Sequence, residues 1–244
     1  GGFNSGLGLA PMLIMLFEIL AALGFLIFFG LILSIQPDLA NQLFETVGEL
    51  RDIQSPDIII EILGPILVNP LVILSVVLFG AGIVPLIEEL LKPIGVWLLF
   101  GRKMTPAAGF VAGALSGAGY GFIESLALSS SGDQWSALVL ARIGTSAVHI
   151  LTSALTGWAL VQVWQKKRIL QLSLAYLCAV VIHGLWNGLT LLYSFDLLSS
   201  MGNLSLKAGW VHSIGAIAPF GLILIAAGCF FGLILANRML QRNL

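Results

Sequence analysis

The chain has 244 residues, 58% of them hydrophobic and only 9% charged, with a formal net charge of −1. Soluble domains carry about 25% charged residues, so this composition excludes a water-soluble globular protein and describes one membrane domain, 1–244, lying almost wholly in a bilayer. The near-neutral balance says nothing about nucleic acid and no basic run suggests it, while Cys178 and Cys229, both inside apolar stretches, argue against a disulfide framework.

The chain opens Gly1-Gly2 without Met, which suggests a trimmed or engineered start. No basic segment precedes the first apolar stretch, so that stretch is not read as a signal peptide. A helix needs about 20 apolar residues to cross a bilayer. Stretches of that length fall at approximately 9–35, 70–100, 106–129, 135–164, 169–194 and 209–237. The expected fold is all-α, a polytopic helical membrane protein with about six transmembrane helices. The first stretch holds Glu18, for which no partner is evident. Residues 37–69 form a polar outer connection carrying Asp38, Glu45, Glu49, Arg51, Asp52, Asp57 and Glu61, and a surface helix is expected in it. Within it, 58–68 is too short to cross and reads as an interfacial or re-entrant helix.

Basic residues sit at alternate ends of the stretches: Arg102 with Lys103, Lys166 to Arg168, and Arg238 with Arg242. The connections 37–61, 129–134 and 195–207 are acidic or nearly uncharged. The positive-inside rule then puts the basic turns and both termini in the cytoplasm.

The motif-bearing core runs from 70 to 194. Its second stretch contains the adjacent carboxylates Glu88 and Glu89. A charge at bilayer depth is costly, roughly 2.5–3.5 kcal/mol for Asp, Lys or Arg at a helix centre, so these two need polar company. Lys92 lies one turn after Glu88 in the favourable order and can form a local ion pair, which leaves Glu89 without a local explanation. The third stretch carries Gly109, Gly113, Gly117 and Gly121, with Gly119 beside them; such a ridge lets a neighbouring backbone approach closely. Tyr120 and Glu124 on this stretch are spaced i, i+4 and share a face. The fourth brings Arg142, a candidate to neutralise Glu124 or Glu89, and His149, which read alone is a hydrogen-bonded core residue. On the fifth, His183 and Asn187 share one face at the same i, i+4 spacing. Ionisable groups on four helices are tolerated most economically around one wet cavity. At 1.5 Å per residue, His183 lies roughly 21 Å from the inner end of its stretch and Glu88 roughly 20 Å from Gly101. Glu124, Arg142 and Asn187 fall nearer the outer ends, so the cavity is expected at mid-depth and open outward.

A carboxylate in a low-dielectric pocket suits general acid or base work. Glu88 or Glu89 could take a proton from a water that attacks a peptide carbonyl, with His183 and Asn187 as donors to the oxyanion. Glu124 could orient the water or shuttle its proton. No serine stands in a nucleophile setting, no phosphate-binding glycine loop is present, and no His-Glu-x-x-His occurs. Hydrolysis without a covalent intermediate uses all these residues.

Glu88-Glu89-Leu-Leu-Lys92, Gly119-Tyr120-Gly-Phe-Ile-Glu124, Arg142 followed by His149, and His183-Gly-Leu-Trp-Asn187 together resemble the PrsW family of membrane proteases. That family is similar to the CAAX prenyl endopeptidases, the CPBP/Abi proteins and the APH-type γ-secretase scaffold. The resemblance covers about the central 100 residues and implies an α-helical membrane fold and peptide-bond hydrolysis by the glutamate pair with His183 and Asn187; no cofactor is expected. It further implies a first, extracytoplasmic cut in a membrane-anchored protein substrate such as an anti-sigma factor. Three readings compete: a zinc-dependent version of the hydrolase, because Glu and His are competent ligands; a non-catalytic assembly subunit; and a proton-coupled transporter or channel, against which stands the lack of an inverted repeat.

Overall fold

Proline decides where several helices begin and bend. The computed structural model describes residues 2–50, 56–127, 135–201 and 209–241. The connection at 129–134, parts of those at 37–61 and 195–207, and Arg242 lie outside the described residues, as do the side chains of Glu18, Glu49, Asp57 and Glu61. The described elements are α1 (Gly2–Ile35), α2 (Pro37–Leu50), α3 (Pro56–Leu67), α4 (Pro70–Leu78), a π-helical turn (Phe79–Ile83), α5 (Val84–Leu91), α6 (Ile94–Trp97), α7 (Pro106–Ala127), α8 (Trp135–Lys166), α9 (Ile169–Met201) and α10 (Gly209–Gln241). There is no strand among them, and the expected all-α membrane fold holds.

Four segments are long and apolar enough to cross a membrane: Pro70–Trp97, Arg142–Lys166, Ile169–Ser200 and Gly209–Leu240. Ile19–Ile35 and Pro37–Gly48 make a fifth only if taken as one span, and they are bent by 118°. The expected number of six is not reached on these criteria among the described residues. The shortfall includes α7, which is diluted by the glycines of its ridge. The anticipated surface helix and short helix of the polar connection are α2 and α3.

The chain divides into two compact units. One comprises Ile19–Ile83 and Asn187–Gly221. Pro37 disfavours the helical conformation in the residue before it, which ends α1 at Ile35 and turns the chain into α2. Leu39, Ile66 and Val72 are buried together there, with Phe29, Leu33 and Leu43 packed on them. Asn69 caps α4, its Oδ1 accepting from the Leu71 amide at 3.0 Å, with Pro70 at the first helical position, where a missing N–H does no harm.

The other unit comprises Gly1–Glu18, Val84–Trp186 and Leu222–Leu244. Its centre is the pairing of α7 with α8, and the glycine ridge explains it. A Cβ added at Gly109 would fall 2.7 Å from the carbonyl oxygen of Gly157; one at Gly113 would collide with that of Ser153, and one at Gly117 with that of His149. The two backbones touch along the ridge. Around this pair, Ala147, Val148, Leu151, Trp186 and Cys229 form one buried cluster, and Val96, Leu160 and Val161 another. Helix α9 is pinned twice within the unit. Tyr176 donates its hydroxyl to the Leu86 carbonyl at 2.6 Å, and Trp186 Nε1 donates to Thr145 Oγ1 at 3.2 Å.

Candidate active site

The site grows from the end of α5. Pro93 stops that helix, and Ser116 of α7 donates its hydroxyl to the freed carbonyl of Lys92. Lys92 is thereby held at the helix end with its side chain turned into the unit, fully buried. Its Nζ lies 2.9 Å from Glu88 Oε2, 2.9 Å from Glu89 Oε1 and 2.7 Å from His149 Nδ1. An ammonium has three hydrogens to donate, and these three acceptors match them. A fourth side is closed by the ring of Tyr120, 4.6 Å from Nζ to the centroid. This is a cation–π approach.

The hydrogen bonds assign the histidine protons. His149 Nε2 is 2.9 Å from Glu124 Oε2, a carboxylate that can only accept, so Nε2 carries the hydrogen and Nδ1 offers its lone pair to Lys92. His183 Nδ1 is 2.9 Å from Glu89 Oε1, so it donates there, and its lone pair is on Nε2. That Nε2 is 3.8 Å from Glu88 Oε2, too far for a direct hydrogen bond but a distance one water can span. Glu89 Oε1 is therefore gripped by an ammonium and an imidazole, while its Oε2 is buried with no hydrogen-bond partner among the described residues. Glu88 keeps 17% of its side-chain surface exposed, against none for Glu89. The rings of Tyr120 and His183 both stand edge-on to His149, each with centroids 5.1 Å away.

On the far side of His149, Arg142 Nη2 donates to the same Glu124 Oε2 at 2.7 Å, and its Nε donates to Ser125 Oγ at 3.0 Å. Of the two partners proposed for Arg142 from sequence, Glu124 is the one it meets. The structure thus brings Glu88, Glu89, Lys92, Tyr120, Glu124, Arg142, His149 and His183 together. Asn187 belongs to the other unit, where its Nδ2 donates to the Gly80 carbonyl of the π-helical turn at 2.9 Å. Sequence reasoning missed Ser116 and Ser125. Ser116 continues the i, i+4 line of Tyr120 and Glu124 backwards by one turn, so the signal for it was available.

A family model described as PrsW family intramembrane metalloprotease matches residues 11–211. The chain belongs to the PrsW family. Neither a curated protein nor a solved structure matches it. Membership in the PrsW family makes the chain an intramembrane protease, integral to a bilayer and directed at membrane protein substrates.

The PrsW description mentions a metal, and Glu88, His149 and His183 could hold one, since a ligand atom from each lies within 4.8 Å of the others. Glu124 behind His149 is the kind of carboxylate that commonly backs a metal-bound histidine. The donor set already surrounds a cation, however. An ion at zinc–ligand distances of about 2.0–2.2 Å would share Glu88 and His149 with the Lys92 ammonium, which touches both. The set accommodates one cation or the other. With Lys92 in place the residues do not fit a divalent metal.

Proposed function

We propose that this PrsW-family chain hydrolyses a peptide bond of a membrane-anchored protein with water activated by Glu88. The observation that carries the reading is the pair of lone pairs on Glu88 Oε2 and His183 Nε2, 3.8 Å apart at a carboxylate that is not fully buried. A water between them donates one hydrogen to each and turns its own lone pair outward. As the water oxygen bonds to the peptide carbonyl carbon, its proton passes to Glu88. The same proton then goes to the leaving nitrogen as the C–N bond breaks, which restores the carboxylate. Negative charge developing on the carbonyl oxygen lies in the field of the buried Lys92 ammonium, a preorganised cation in low-dielectric surroundings.

The remaining side chains take supporting parts. Glu89 fixes the tautomer of His183 and balances Lys92, and Glu124 with Arg142 orients His149. For Asn187 we propose a structural role, its Nδ2 holding the Gly80 carbonyl of the π-helical turn. A second reading, with Glu89 as the base, rests on the unpartnered Oε2 of that residue.

The charge pattern supports an orientation with both termini and the basic turns Arg102-Lys103 and Lys166-Lys167-Arg168 in the cytoplasm. The cut would then be a first, extracytoplasmic one in a single-span regulator such as an anti-sigma factor. The test is cleavage of a single-span helical substrate by purified protein in liposomes. Glu88→Gln is expected to lower the rate by about 10²- to 10⁴-fold, the usual worth of a general base, in a protein that still folds but with a lowered Tm, because Lys92 loses one of its two carboxylates. Glu89→Gln should lower stability as well as rate. Near-normal cleavage by Glu88→Gln, with loss confined to a well-folded Glu89→Gln, would transfer the base to Glu89; full activity in both would end the glutamate reading.

A further inference from the structure

A pocket that holds a divalent ion offers lone pairs from several directions, negative charge and shelter from bulk water. The pocket between α5, α7, α8 and α9 has all of these, and its occupant belongs to the chain. Lys92 Nζ stands among Glu88, Glu89 and His149 at 2.7–2.9 Å, capped by the Tyr120 ring. Its nearest further neighbour, His183 Nδ1 at 3.2 Å, already directs its hydrogen to Glu89, so the ammonium has three acceptors for three hydrogens. Burial of an ammonium is unfavourable unless every hydrogen is matched. Here the match uses two of the three groups that would otherwise ligate a metal, Glu88 and His149.

We propose that the Lys92 ammonium is the resident cation of this site, standing in for a divalent ion among Glu88, His149 and His183. The wild-type chain therefore takes no metal there, and a neutral side chain at position 92 opens the pocket to one zinc or cobalt ion. His149 Nδ1, His183 Nε2 and a Glu88 oxygen become its ligands, with Glu124 behind His149 holding the imidazole in the metal-binding tautomer. The proposal shares a metal-free site with the hydrolytic reading. Its test measures metal content rather than cleavage, so the two fail separately.

Purified wild type, Lys92→Met and the double variant Lys92→Met with Glu89→Gln are loaded with Co²⁺, freed of excess ion and assayed for cobalt per chain and for its visible absorption. The double variant removes one negative charge with the positive one and keeps all three ligands, which protects the test against misfolding of the single variant. Wild type is expected to retain no stoichiometric cobalt. The variants should bind one ion per chain, lost when His149→Ala is added. Stoichiometric cobalt in wild type that His149→Ala abolishes would overturn the proposal, and so would folded variants that take up none. If both variants unfold, wild-type thermal unfolding with and without zinc decides: an unchanged Tm supports Lys92 as the cation, and a rise that His149→Ala removes overturns it.

Discussion

Two cations flank His149, and they do opposite things with similar partners. Lys92, on the Nδ1 side, has no exposed surface and is bonded to two carboxylates and an imidazole. Arg142, on the Nε2 side, shares Glu124 with that imidazole, but its side chain is 15% exposed and that of Glu124 31%. A buried charge that loses its partner has nothing to replace it, whereas water can replace a partner at a partly exposed pair. The first arrangement is a fixed cage and the second a looser clamp that is only partly enclosed by neighbouring side chains. One ring joins them, so a disturbance on either side reaches the other through His149.

The sharpest way to break the comparison is to remove each cation in turn. Without added metal, Lys92→Met should destabilise the protein by about 3–5 kcal/mol, the usual penalty for breaking a buried pair, read from denaturation in detergent. A loss below that of Arg142→Ala would show that the cage is no tighter than the clamp. Next comes the ring they share. Gly117→Ala puts a methyl group into the His149 carbonyl, and overpacking of this kind costs about 1–3 kcal/mol; cleavage should fall with it. Gly119→Ala, where an added Cβ meets nothing within 4 Å, should leave both unchanged. If the two alanines behaved alike, helix contact would not be setting the position of His149.

Arg142→Ala should cost roughly 1 kcal/mol, as expected for a partly exposed ion pair, and reduce stability at least as much as activity. A well-folded but inert variant would move Arg142 into the chemistry. The smallest effect is expected from Ser116→Ala. It removes one part-buried hydrogen bond to the Lys92 carbonyl, worth about 0.5–1.5 kcal/mol. The change should appear as faster amide hydrogen exchange at the end of α5 before it appears in the rate.

Much of this site was legible because helix geometry is periodic. Tyr120 and Glu124 had to share a face, and Arg142 and His149 had to lie on one helix, so the encounter of Glu124 with both followed once a glycine ridge brought α7 to α8. The role of Lys92 was only half visible. Its pairing with Glu88 is a local i, i+4 contact, whereas its bond to His149 joins residues 57 positions apart, and no local rule reports such a contact. Glu89, expected to have no local partner, has one after all in Lys92, three residues on along the same chain, and His183 joins it from a distant helix. Spacing put Asn187 on a face with His183, yet spacing cannot say which acceptor an amide will find, and it found Gly80. The span count depended on apolarity, and the glycines that allow α7 to pack are the residues that weaken its apolar signal.

The collision site at Gly117 has a further consequence. Because the spacing between the helix carrying Glu124 and the helix carrying His149 is set by main-chain atoms, it does not vary with side-chain rotamers on that line. A bilayer that thickens or thins can tilt the two helices as one body without changing the separation of acid and imidazole. Any sensitivity of activity to lipid composition is then expected to originate away from the α7–α8 seam.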